Sequence, residues 1–148
     1  MVHYSRLWVV IADGEHARFV ARDPHARTLR TVRTVDSATA GERSHDLGSD
    51  RPGRSFESAA SAHHAVQPKH DPHLLAKQAF VADIARQVNE AAAAGEFDHL
   101  VVVAPSHALG ELRDGLGEAA RKTLVGTLGK DLVKTPDHEL PEHLAEWL

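Results

Sequence analysis

Leu7-Trp8-Val9-Val10-Ile11-Ala12, closed by Asp13-Gly14, is the stretch that decides the fold. Six consecutive apolar residues, three of them β-branched, are too few for a core helix. Their lack of alternation marks a strand buried on both faces. Asp-Gly is a hairpin turn signal. Beyond it, His16 to Arg22 alternates, with Ala17, Phe19 and Ala21 on one face, as a half-buried strand does. Asp23-Pro24 makes the next turn. Thr28 to Val35, rich in Thr and Val with Arg30 and Arg33 interleaved, carries charge on both faces, the mark of an edge strand. Three strands in succession form a meander.

From Asp36 to His70 the pattern collapses. These residues hold only Leu47, Phe56 and Val66 from the large aliphatic and Phe set, with three Gly, two Pro and six Ser, so they cannot build a core. A polar stretch of this length that is not low-complexity points to a functional loop. Asp71-Pro72 then opens a helix with an N-cap acid and a proline at the first helical position. Leu74, Phe80, Val81, Ile84 and Val88 fall largely on one face, and Gly95 ends the run. His99 to Ala104, with Leu100-Val101-Val102-Val103, is a second continuous apolar strand. The long helix before it predicts that it lies parallel to another strand. Pro105-Ser106 begins a shorter helix capped by Ser106 and carrying Leu109, Leu112 and Leu116. Thr123 to Leu128 forms a fifth strand, weakened by Gly126. After Thr135-Pro136, Leu140, Leu144, Trp147 and Leu148 stand at helical spacing. The expected fold is therefore α/β, with a mixed five-stranded sheet in the order β-β-β-(long loop)-α-β-α-β-α. The strands at Leu7 and Leu100 should be central and adjacent.

The chain has 148 residues, 42% hydrophobic and 26% charged, which fits one ordinary domain spanning 1–148. Without cysteine it has no disulfide, thiolate zinc site or cysteine nucleophile. Its 12 histidines are an excess: protonating all of them turns the formal net charge from −4 to +8. Residues 1–70 are net +2 and residues 71–148 net −6. So mild a balance argues against a dedicated duplex-DNA binder. No run approaches the roughly 20 apolar residues of a membrane span, and none matches a signal peptide. A cytoplasmic location is expected.

Within the polar stretch, Asp46 to Glu57 combines two Arg, two Asp and two Gly with hydroxyls around Pro52. Arg51 and Arg54, with Arg43 nearby, can hold a phosphate or carboxylate bidentately, while Gly48, Gly53 and Ser55 let backbone and hydroxyl donors reach the same anion. The competing reading is that Asp50 pairs with Arg51, and Arg54 with Glu57, pinning the loop down. His63, His64, His70 and His73 cluster beyond it, with Asp71 as an oxygen donor. Their spacing fits no standard metal signature. Asp13 stands where polymer-cleaving folds of the RNase H type place a metal-binding carboxylate, although Asp-Gly turn chemistry explains it equally. Ser106-His107 invites a Ser-His pair, but neighbours on a helix do not face each other. His16, in a strand, is expected to be packed or exposed rather than catalytic.

Several segments together carry a resemblance. Trp8 to Phe19, the loop Asp46 to Ser58, Asp71-Pro72-His73, Val101 to Pro105, Leu109-Gly-Glu-Leu-Arg113 and Lys130-Asp-Leu132 resemble, in order and over nearly the whole chain, the bacterial host attachment protein family. That family is similar to the middle domain of archaeal and eukaryotic class 1 peptide release factors, an RNase H-like fold. There the loop after the third strand carries Gly-Gly-Gln, which helps water release the peptide in the ribosome. Here the loop offers Ala40-Gly41-Glu42 and Pro52-Gly53-Arg54 instead, and Gln67 follows no glycine pair. The resemblance implies a non-catalytic binding or regulatory protein with an Arg-rich recognition loop, no cofactor, and room for a homo-oligomer. The alternatives are an RNA- or ribosome-associated factor and a metal-dependent phosphoesterase using Asp13 with the acids in or beside the loop, Asp46, Asp50 and Asp71.

Overall fold

The computed structural model describes residues 6–38 and 71–148. Strands β1 (Leu7–Ala12), β2 (His16–Arg22) and β3 (Leu29–Asp36) form the meander; helix α1 (Pro72–Ala93), strand β4 (His99–Val103), helices α2 (Ser106–Gly115) and α3 (Glu118–Thr123), strand β5 (Leu124–Leu128) and the single turn α4 (Leu140–His143) follow. The sheet order is β3-β2-β1-β4-β5. The two continuous apolar strands are neighbours: β1 runs parallel to β4, with Val9 opposite Val101 and Val10 opposite Val102. β2 and β3 join antiparallel on one side, and β5 joins β4 in parallel on the other. The charged third strand is at the edge, where its arginines need no apolar cover. A bulge interrupts its pairing: Phe19 faces Arg33 but Val20 faces Thr31, leaving Val32 unmatched and exposed.

Period-two alternation divides the sheet residues between two cores. On one face Val10, Phe19, Leu100 and Val102 pack against Phe80, Val81, Ile84 and Val88 of α1 and Leu112 of α2. Each such buried side chain contributes roughly 1.5–3 kcal/mol. On the other face Val9, Ile11, Val20, Val101 and Val103 are covered by Leu132, Leu140, Leu144 and Trp147. Helix α1 starts as its sequence indicates, with the Asp71 carboxylate accepting from His73 N at 2.8 Å. It stops where Gly95 takes φ +73°, a conformation that costs glycine little.

Three local expectations are corrected. Pro105, not Ser106, occupies the N-cap of α2, and no side chain caps that helix; Ser106 is its first residue. The expected single helix after β4 is two, because the Asn89 side chain reaches into the break: its amide donates to Gly115 O at 3.1 Å and its oxygen accepts from Gly117 N at 2.8 Å. The terminal segment is not one helix but a 3-10 turn (Asp137–Glu139), the α4 turn and a second 3-10 turn (Ala145–Trp147). Pro141, which lacks an N–H, lies in its first helical turn. Gly126 has a packing role: a Cβ there would lie 2.4 Å from the Trp147 ring.

Candidate recognition site at the end of β3

Strand β3 ends at Asp36 and α1 begins at Pro72, so the described residues on either side of 39–70 are the end of β3 and the start of α1. The strand end is pinned. Ser37 N donates to Glu15 O at 2.8 Å, and His16 Nδ1 lies 2.9 Å from Asp36 Oδ1, the two residues being direct cross-strand partners. A cavity of about 320 Å³ lies between the β3 end (Val35 to Ala38) and Ala76, Ala79, Phe80 and Asp83 of α1, so the strand end and the first turns of α1 share one wall. Asp83 is fully occupied. Hydrogen bonds from Arg86 and then Gln87 hold its carboxyl below the ordinary range.

On the other side of β3, His16, Arg18, Thr34 and Asp36 line a second cavity of about 230 Å³ with Val133 and Lys134. Arg18 is almost enclosed. Its guanidinium donates to Asp137 Oδ1 at 3.1 Å, to Leu132 O at 2.8 Å and to Thr135 O. Asp137 also accepts from Thr31 N at 3.0 Å and Thr31 Oγ1 at 2.6 Å. This latch ties residues 132–137 to β2 and β3. Burial lowers the Arg18 pKa, against the pull of Asp137, yet leaves it charged. For Asp137, burial is the largest single influence and opposes ionisation, but the Thr31 bonds with the charges of Arg18 and His138 outweigh it and hold the carboxyl below its ordinary value.

The carboxyl ends of parallel strands, the usual ligand position in open α/β sheets, lie elsewhere. There Gly14, Lys77, Pro105, His107 and Glu111 line a cavity of about 200 Å³. His107 Nε2 sits 3.3 Å from Glu111 Oε2, one turn along α2. Asp13 is committed to its turn, Oδ1 accepting from Glu15 N at 2.7 Å and His16 N at 2.6 Å. Among the described residues no group of three or more His, Asp or Glu is placed to hold a metal ion. His73 is exposed on the first turn of α1. Arg43, Asp50, Arg51, Gly53, Arg54, Ser55, His63, His64 and His70 lie outside the described residues.

A family model described as "Protein required for attachment to host cells" matches residues 8–144. The chain belongs to this family. Among proteins of curated function none is a detectable sequence relative of this host-attachment family member. Among solved structures it is similar to an archaeal translation termination factor, aRF1, with 12% identity and a TM-score of 0.51 over 96% of this chain. The match spans 34% of that factor's length and shows a shared fold. Among the described residues no helix is long and apolar enough to cross a membrane.

His16, Arg18, Asp36 and Lys134 were not singled out together from sequence. They lie on three segments, and only the β2–β3 register, placing His16 opposite Asp36 and Arg18 opposite Thr34, brings the first two segments into one patch.

Proposed function

We propose that this host-attachment family member is a binding or regulatory protein rather than a catalyst, acting in the cytoplasm. Its recognition element is the Arg-rich stretch 46–58 together with Arg43. The observation that carries this reading is the frame on either side: the segment preceding the Arg-containing stretch in sequence is a strand end pinned by Glu15 and His16, the segment following it is a capped helix, and the two line one cavity. A rigid frame under a recognition loop lowers the entropy lost on binding. Asp13 is engaged in its turn and His107 lies beside Glu111 along α2, which supports the non-catalytic reading.

The test is a strain lacking the protein, complemented with wild type or with Arg43→Ala/Arg51→Ala/Arg54→Ala. The triple variant should keep the wild-type melting temperature and lose the restored attachment to host cells. Wild-type attachment by the triple variant overturns the assignment of the loop, and phosphodiester turnover by the purified chain overturns the non-catalytic part. A secreted pool in fractionated cells overturns the location.

The second reading, an RNA- or ribosome-associated factor, is favoured by the fold shared with the archaeal termination factor. It requires affinity for single-stranded RNA that falls with salt. Removing the three Arg should reduce the log–log salt slope by about 2. Absence of RNA retention at low salt and of ribosome co-sedimentation removes it.

A further inference from the structure

We propose that the open edge of β5 is a self-association surface, on which a second copy of this chain adds its own β5 antiparallel and joins the two sheets into one. The surface uses no residue of the Arg-rich stretch, and its failure leaves the reading of that stretch standing.

The two edges of the sheet differ. β3 carries Arg30 and Arg33 and is interrupted by the bulge at Val32, and both devices discourage another strand from joining. Two copies meeting there would also set arginine against arginine. β5 has neither a charge nor a proline in Leu124-Val125-Gly126-Thr127-Leu128, and each of these residues keeps partial exposure. Its pairing with β4 is irregular before Gly126 and regular from Gly126 to Leu128. Among the described residues no strand lies beyond it.

The backbone sets the register. Ala104 N donates to Leu128 O at 3.1 Å, so Leu128 and, two residues back, Gly126 direct their polar groups toward β4. The alternate set turns outward: the Val125 carbonyl, the Thr127 N–H and carbonyl, and the Gly129 N–H. Among the described residues none of these groups has a hydrogen-bond partner. A two-fold axis at Thr127 matches this set with itself. The two Thr127 residues exchange N–H to carbonyl bonds, and each Gly129 N–H meets the partner's Val125 carbonyl. Side chains agree with that register: Thr127 lies opposite Thr127, a favourable cross-strand pair, and Leu128 lies opposite Gly126, the small residue beside the Trp147 ring. The Lys122 end of one strand comes beside the Asp131 end of the other. Glu118 already sits 3.8 Å from Lys122, and Asp131 follows Lys130, so each lysine near the ends has an acid close by. A second copy is favoured over a foreign strand because the chain itself supplies the match at Thr127 and at the ends. Five residues extend only about 17 Å, so the pairing belongs to the small, weak interfaces, with a Kd on the order of 100 µM.

The experiment is sedimentation velocity of the full chain at rising concentration, with circular dichroism melts to establish that each variant folds. The wild type should pass from monomer to dimer with a Kd between about 10 µM and about 1 mM. Thr127→Pro removes an outward N–H that the sheet does not use and should weaken the dimer about tenfold or more at unchanged strand content. Thr127→Lys and Thr127→Glu should each weaken it about tenfold, because position 127 meets itself, and an equimolar mixture of the two proteins should associate about as well as the wild type. Val32→Lys, on the opposite edge, should leave dimerisation within about twofold. A wild-type chain still monomeric at about 1 mM, a dimer that survives Thr127→Pro, an equal loss from Val32→Lys, or no association between the Thr127→Lys and Thr127→Glu proteins would each overturn the assignment. If Thr127→Pro does not fold, the mixture of the two charged variants decides the question.

Discussion

The two faces of the sheet are covered by different means. One is closed by α1 and α2, whose apolar side chains recur at helical spacing and need only burial to hold them. The other is closed by residues 132–148, mostly in 3-10 and single α turns, held by a buried guanidinium latch and by an indole lying against a glycine. The helical cover is held by apolar burial alone, so a truncation there costs what the lost side chain and its cavity cost. The irregular cover depends on a few contacts that have no substitute, so its stability is concentrated in named atoms.

That contrast can be broken experimentally. The largest effect is expected on the helical face, where Ile84→Ala leaves a cavity in a fully buried site and should cost about 4 kcal/mol in urea denaturation. Next is Gly126→Ala, whose Cβ would press on the Trp147 ring; a loss of about 3 kcal/mol is expected, and an unchanged denaturation midpoint would mean the indole can move aside. Asp137→Ala should cost about 2 kcal/mol, less than a fully buried pair because Asp137 is 37% exposed. The latch also predicts a pH signature. Asp137 has a lowered pKa in the folded chain, so the unfolded chain binds more protons, and the stabilisation is whole above the ordinary aspartate range and lost as pH falls through the depressed folded value. The stability gap between wild type and Asp137→Asn should therefore hold from pH 7 to about 5 and close below about 4. The smallest effect belongs to the turn: Asp13→Ala should cost about 1 kcal/mol, while Asp13→Asn, which keeps an acceptor, should melt as wild type.

The same contrast explains what sequence reveals. The strands Leu7–Ala12 and His99–Val103, their parallel adjacency, the edge position of β3 and the extent of α1 are legible because each follows from local patterning. The division of α2 from α3 was hidden, since the Asn89 side chain that bridges the break sits 26 residues before Gly115. Leu140, Leu144 and Trp147 repeat at a helical period and are buried as expected, but the backbone beneath them is mostly not α-helical. The patch of His16, Arg18, Asp36 and Lys134 escaped because its members pair across strands and along a segment more than 95 residues further on. Long-range polar contacts leave no periodic trace.

The pairing of β1 with β4 has a consequence for how the molecule is made. Leu7 meets His99 across the centre of the sheet, and the face behind them is closed by Leu132, Leu140, Leu144 and Trp147. As the chain is synthesised from its amino end, the meander can pair early, yet its inner strand waits for a partner some 90 residues away and its second face for the last of those side chains. Until then a strip of Val9, Ile11 and Val20 faces water. The interval before residue 147 is added is thus the period of greatest exposure to aggregation, and premature release of the chain would leave that strip without its cover.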